Sequence, residues 1–363
     1  MSIKKICLVV LSLGPGGTER VMSELAGYFA LKYDVQTHLI IYSIKRDVFY
    51  EVPPSVVIHK PDFEFDNSKR FLSILKTLRF LRETVKSIQP DSVLSFGEYY
   101  NSFVLLALFG LKFPIYISDR GQPGKSLRKF HDILRRWLYP KATGVIAQTA
   151  QAKQILLKQF PRSNIKVIGN PIRKIDFVKE ECERENIVLA VGRLIASKHH
   201  DLLIDIFLKI NVPNWKLVIV GGDAQKQQVM EQLTEKIEKL KVADKVILSG
   251  NLSNVDDYYR KSKIFVSASS SEGFPNAIGE AMSAGLAVVA FDCPAGPADM
   301  IEDGVNGFLV PLWDMETFED KLRIQMQEER LRNKMGKAAR QSIERFFIQS
   351  TGEQFYNFIM NSR

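Results

Sequence analysis

The sequence predicts an α/β chain built from two doubly wound, Rossmann-like domains. Three observations predict it. Short β-branched strand patterns alternate with helical spacings twice over, once in each half of the chain. Each half opens with a strand that runs into a glycine-containing loop, Gly14–Gly17 in the first and Gly192–Leu194 in the second. The 363 residues exceed what one core comfortably holds.

The first half is expected to place strands at 4–10, 35–41, 56–58, 92–96, 115–118, 144–147 and 166–168. Helices are expected at 18–32, 69–88, 99–111 and 125–138. Helix 69–88 has apolar residues at 71, 74, 75, 78, 81, 85 and 88, with Lys76, Arg79 and Lys86 on its other face. Helix 125–138 interleaves Lys125, Arg128, Lys129, Arg135 and Arg136 with Phe130, Leu134, Trp137 and Leu138, a composition suited to lipid headgroups. Residues 173–185 are charged and aperiodic, and we expect a linker there. The pattern then restarts with strands at 187–191, 216–220, 245–248, 264–268 and 286–291. Helices are expected from about His199 to Ile210, from Ser253 to Arg260, after Pro275, and from Met315 onward. The expected domains are 1–172, 186–345, and a last helix, 346–363, that returns to the first.

Composition excludes several classes. Apolar residues make up 45% and charged residues 25%, which are ordinary globular values. Cys7, Cys182 and Cys293 have neither metal-ligand nor redox spacing, and their odd number argues for a reduced, cytoplasmic setting. Residues 1–13 read as a buried first strand rather than a leader. No apolar stretch has the length of a membrane span. Lys and Arg exceed Asp and Glu by 12 in residues 1–170, whereas residues 171–363 carry a net −3. The basic half suits an anionic membrane surface or a phosphorylated acceptor; no nucleic-acid motif accompanies it.

The chemistry concentrates in Ser267–Val310. Glu272 lies in a loop and Glu280 eight positions later in the following helix, with Gly273 allowing close backbone approach and the helix N-terminus offering N–H groups to an anion. One short segment thus offers donors for phosphate and carboxylates for hydroxyls, which suits a nucleotide sugar. An ordinary βαβ unit with a solvated acidic face is the alternative.

This segment, Glu272-Gly-Phe-Pro-Asn-Ala-Ile-Gly-Glu280 followed by Ala281-Met-Ser-Ala-Gly285, resembles the signature of the retaining glycosyltransferases of family 4. The Asp292–Pro297 loop is most like members that transfer galactose or N-acetylgalactosamine in bacterial polysaccharide or lipid-linked glycan assembly. Gly192-Arg193-Leu194 with Lys198 is a second match, and Gly16 with Gly17 a third. The resemblance implies the glycosyltransferase B architecture, two Rossmann-like domains facing across a cleft. It implies a UDP-sugar as substrate, no cofactor and no metal. It assigns Glu280 to the ribose hydroxyls, Glu272 to the donor sugar, and Arg193 and Lys198 to the diphosphate. The N–H groups of Phe274, Pro275 and Asn276 go to sugar and phosphate. Backbone near Asn251 and Leu252 goes to the base, and Gly16, Gly17 and Gly192 to close approach of the donor. Many members keep a histidine near the loop 119–123. This chain has Asp119 and Arg120 instead, and they are candidate acceptor or donor contacts. The implied partner is a polyprenyl-diphosphate-linked glycan, met at the inner face of the membrane. A soluble acceptor, a nucleotide-sugar epimerase and a non-enzymatic binding module are the competing expectations.

Overall fold

In the computed structural model, residues 3–14, 16–43, 49–176, 183–224, 227–252 and 254–361 are described. The chain divides into two compact units, residues 1–171 with 346–363, and residues 172–345. Both are parallel doubly wound sheets, as the alternation predicts.

The first unit runs β1 (Lys4–Val10), α1 (Gly17–Lys32), β2 (Val35–Ile41), β3 (Val57–His59), α2 (Arg70–Ile88), β4 (Ser92–Phe96), α3 (Glu98–Ala107), β5 (Ile115–Ser118), α4 (Lys129–Leu138), β6 (Gly144–Ala147), α5 (Ala150–Gln159) and β7 (Ile165–Val167). Its sheet has the order β3-β2-β1-β4-β5-β6-β7, so the direction of winding reverses between β1 and β4. Their strand residues are almost wholly buried, as parallel strands covered on both faces must be.

The second unit runs β8 (Ile187–Val191), α6 (His200–Ile210), β9 (Lys216–Val220), α7 (Val229–Leu240), β10 (Val246–Gly250), α8 (Asp256–Lys261), β11 (Ile264–Ser267), α9 (Asn276–Ser283), β12 (Ala287–Asp292), α10 (Pro297–Met300), β13 (Phe308–Pro311), α11 (Met315–Gln327) and α12 (Glu329–Ile343). Its sheet order is β10-β9-β8-β11-β12-β13, with the reversal between β8 and β11. The last helix, α13 (Ile348–Asn361), belongs to the first unit. Tyr356 stacks on Tyr33 with centroids 3.6 Å apart, and Phe355 and Phe358 enter the core beside Phe96 and Tyr116.

Several element bounds differ from the sequence expectation, and three of the differences have a clear local reason. Helix α4 starts at Lys129 rather than at 125. The Asp132 carboxylate turns back to accept from Ser126 Oγ at 2.5 Å and Leu127 N–H at 3.0 Å, and Arg128 takes φ = 87°, which no helix tolerates. Helix α3 stops at Ala107 rather than at 111. Gly110 adopts φ = 80°, and Arg82 caps the freed carbonyls of Ala107 and Phe109 at 3.0 and 2.9 Å. The start of the expected linker is packed. Ile175 is fully buried and its N–H donates to Ser283 Oγ at 3.0 Å, while residues 177–182, with Cys182, lie outside the described residues.

Candidate active site

In an open parallel sheet, side chains that meet a ligand gather at strand C-terminal ends near the reversal of winding. In the second unit that point lies between β8 and β11, and the loops after both strands carry the expected residues. After β8, Gly192-Arg193-Leu194 leads into a short 3-10 turn, Ala196–Lys198. After β11, Ser269–Glu272 leads to α9. Lys198 Nζ and Glu272 Oε1 meet at 2.5 Å, with both side chains largely buried. The two loops are further tied by Ser270 N–H to the Ser197 carbonyl at 2.9 Å and by His199 Nε2 and Ser270 Oγ at 2.8 Å. His199 is therefore more than the helix-start residue the sequence implied. Arg193 is exposed and has no ion-pair partner among the described residues.

Two glycines after β9, Gly221 and Gly222, hold this loop in place. Gly221, at φ = 154°, lies so close to the Gly192 carbonyl that a Cβ there would collide with backbone. The neighbouring bonds, Gly192 N–H to Val220 O and Leu194 N–H to Gly222 O, are both 2.9 Å. Asn251 packs its side-chain amide where a Cβ on Gly222 would stand. Leu252 is exposed beside it, and Ser253 lies outside the described residues.

Glu280, buried in α9, is held by two donors. Arg173 Nε reaches Oε1 at 3.2 Å and the Tyr259 hydroxyl reaches Oε2 at 3.1 Å. Arg173 also pairs with Asp256 at 2.9 Å. Burial and then the Glu280 charge push the Tyr259 phenol well above its ordinary range, so it stays a donor. Sequence reasoning missed Arg173, Tyr259 and Asp256, which lie far from Glu280 along the chain.

The expected backbone donors need correction. Pro275 has no N–H, and Asn276 N–H is turned onto the Phe274 carbonyl at 2.9 Å. In the first turn of α9, Ala277 and Ile278 are the residues whose N–H groups have no helical carbonyl behind them. Phe274 is buried, and Pro275 packs against Gly296 of the Asp292–Pro297 loop. In that loop Cys293 is a free, buried thiol, pushed up to about 12 by burial and by the Glu272 charge.

Asp119 and Arg120 belong to the first unit, and Asp119 is not open to a ligand. Its Oδ1 accepts from the Tyr139 hydroxyl at 2.5 Å and Asn101 at 3.2 Å, and its Oδ2 pairs with Arg135. Burial raises its pKa against the pull of Arg135. Arg135, counted in the sequence as part of a basic surface, is 6% exposed for the same reason. The Arg120 guanidinium carbon lies 3.4 Å from the Phe96 ring centroid, and Nη1 donates to Asn170. Gly16 caps α1 and Gly17 is its first residue. Among the described residues no helix is long and apolar enough to cross a membrane, and no group of three or more His, Cys, Asp or Glu could hold a metal ion.

Residues 171–342 match the family model for glycosyl transferases group 1, and residues 15–174 that for Glycosyltransferase Family 4. The amylovoran biosynthesis glycosyltransferase AmsD of Erwinia amylovora is 30% identical over 343 residues, covering 90% of this chain and 91% of that protein. A Campylobacter jejuni protein is 27% identical over 362 residues, covering 98% of both chains. It is named GalNAc-alpha-(1->4)-GalNAc-alpha-(1->3)-diNAcBac-PP-undecaprenol alpha-1,4-N-acetyl-D-galactosaminyltransferase. Among solved structures, a glycosyltransferase from Rickettsia africae superposes with TM-score 0.85 at 21% identity, covering 100% of this chain and 99% of that one. Anabaena HepE in complex with UDP superposes with TM-score 0.80 at 18% identity, covering 97% and 98%. At these identities the structural likeness establishes the glycosyltransferase B fold.

Proposed function

Since the chain belongs to the family 4 glycosyltransferases and is a glycosyltransferase enzyme, we propose that it transfers a hexose or N-acetylhexosamine from a UDP-sugar, with retention, to a lipid-linked or polysaccharide-precursor glycan. Galactose and N-acetylgalactosamine are the favoured sugars, in keeping with the Campylobacter relative's name. The observation that carries the proposal is the convergence of Lys198 and Glu272 at the reversal point of the second sheet, with Glu280 clamped on the next helix.

Lys198 and the exposed Arg193 are assigned to the diphosphate. Glu272 orients the Lys198 ammonium and accepts from donor-sugar hydroxyls. Glu280 takes the ribose hydroxyls. In the step proposed, an acceptor hydroxyl oxygen bonds to the anomeric carbon on the face the diphosphate leaves. The carbon–oxygen bond to diphosphate breaks, and the acceptor proton passes to the departing phosphate oxygen. Cations fixed beside that oxygen stabilise the charge it gains, and removing one such group typically costs about 10²–10³ in kcat.

A lipid-linked acceptor is supported by one face of the first unit, where α3 packs against both α2 and α4. Phe71 is 72% exposed, Phe130 67% and Ile133 65%, and the Phe109 and Trp137 rings lie 5.4 Å apart with Lys141 above both. Lys129 and Arg136 of α4 and Lys76 of α2 are exposed on the same helices. Apolar side chains ringed by cations suit an anionic bilayer.

The test is UDP release from a panel of UDP-, GDP- and ADP-sugars, with and without a polyprenyl-diphosphate glycan in detergent. Release from one UDP-sugar, stimulated by that acceptor and cut about 100-fold by Lys198→Met, is expected. UDP binding without release from any donor would point to an epimerase or a binding module.

A further inference from the structure

His199 is an unexpected residue for its position. Its backbone takes φ = 48° and ψ = 46°, the left-handed region that strains an L side chain and suits glycine. It also directly precedes α6, where Ser, Thr, Asp or Asn would cap the first turn, yet its ring makes no capping bond. Neither the backbone nor the helix accounts for a histidine there.

The neighbours of the ring do. Nε2 lies 2.8 Å from Ser270 Oγ, on the loop after β11. Trp313 backs the ring edge-on, with centroids 4.8 Å apart, and itself leans on the buried Phe291 of β12. Trp313 is held at φ = 71°, so a second strained residue supports the first. The loop that carries Lys198 and the loop that carries Glu272 meet through three bonds. These are the Lys198–Glu272 ion pair at 2.5 Å, the Ser270 N–H to the Ser197 carbonyl at 2.9 Å, and the His199–Ser270 bond. The ion pair cannot hold the loops together while its members are engaged with a diphosphate and a sugar. The His199 bond can, because it depends on neither charge.

We infer that His199 is a positioning residue: its bond to Ser270 keeps Lys198 directed at the donor diphosphate when Glu272 turns to the sugar. This rests on the assignment of Lys198 to the diphosphate above and adds the residue that aims it.

The test is calorimetric titration of the full chain with UDP and with uridine, whose affinity ratio isolates the diphosphate contacts. The ratio should fall about tenfold in His199→Gly and in Ser270→Ala, and no further in the double variant, because both changes break one bond. Uridine binding should be unchanged. His199→Gln, whose carboxamide can replace the ring nitrogen, should keep the ratio within about threefold of the wild type. His199→Ala should lose as much of the ratio as His199→Gly, although only glycine relieves the strain and unfolds at higher urea. A ratio that follows the urea midpoint instead would make His199 merely structural and overturn the proposal. So would losses that multiply in the double variant, equal loss of uridine binding, or a loss in His199→Gln as large as in His199→Gly. Unchanged ratios in His199→Gly and Ser270→Ala, in a protein whose wild type prefers UDP, would overturn the positioning role alone. A wild type that binds UDP no more tightly than uridine would overturn the diphosphate assignment itself, and the positioning role with it.

Discussion

Glu280→Gln should weaken UDP binding and leave the binding of UDP lacking its ribose hydroxyls unchanged. A carboxylate has about four acceptor positions. Arg173 and Tyr259 use one on each oxygen, at 3.2 and 3.1 Å, which leaves two for the vicinal hydroxyls of a ribose. Hydrogen bonds to a charged group contribute about 1.5–3 kcal/mol each, and their neutral counterparts about half that. Converting two of them to bonds with a neutral amide therefore costs about 1.5–3 kcal/mol, or roughly 10- to 100-fold in Kd. Isothermal titration calorimetry with UDP and with 2′,3′-dideoxy-UDP separates this from general damage to the site. If the two ligands lose affinity equally, Glu280 does not hold the ribose and the assignment fails. Tyr259→Phe and Arg173→Met should shift UDP in the same direction, by about tenfold or less, because each loosens the carboxylate without removing it. An Arg173→Met protein with unaltered UDP affinity would refute the clamp while leaving the role of Glu280 intact.

Three further outcomes are expected. Burial and the Lys198 charge hold the His200 imidazole down to about 4, so it binds a proton near 6.5 in the unfolded chain and far lower in the folded one. Stability is therefore complete above pH 6.5 and is lost as pH falls from 6.5 toward 4, by up to about 3 kcal/mol; urea titrations across this range should show a shallower acid branch for His200→Gln. Gly221→Ala should cost about 1–3 kcal/mol in chemical denaturation and lower kcat/KM, because the new methyl must displace the Gly192 carbonyl and the Arg193 loop with it; an active, equally stable variant would show that the loops are not coupled. A triple change of Phe130, Ile133 and Trp137 to serine should weaken partitioning onto phosphatidylglycerol vesicles by at least about 1,000-fold, since each side chain contributes about 1.5–3 kcal/mol when buried. Unchanged sedimentation would assign that face to another partner.

The fold was legible because both sheets announce themselves by runs such as Ile187–Val191 and Val288–Phe291, short, β-branched and bounded by glycine. The carboxylates and cations of the second unit were legible because Glu272, Glu280, Arg193 and Lys198 fall in loops and turns whose sequences recur in a known family. What holds them was not. Arg173 and Glu280 are 107 positions apart, and no periodicity connects them. Arg135 and Asp119 were read as a surface cation and a ligand contact, because nothing local shows that two charges on different elements will neutralise each other in a core. Glu98 left a faint signal, an acid directly after a glycine at a strand end. It gained meaning when the Arg120 and Gly121 amides were found pointing at it.

The return of α13 to the first unit has a consequence for synthesis. Phe358 fills the space beside Gly144 of β6, in a sheet made of residues translated two hundred positions earlier, and Phe355 lies against Phe96 of the central β4. A nascent chain that has just completed β7 therefore carries an open groove along its central strands, and it carries it throughout translation of the second unit. The second unit, contiguous in sequence, can fold as it emerges. The unit made first is thus the one finished last, and a ribosome that stalls before residue 348 leaves an apolar trench exposed to chaperones and proteases.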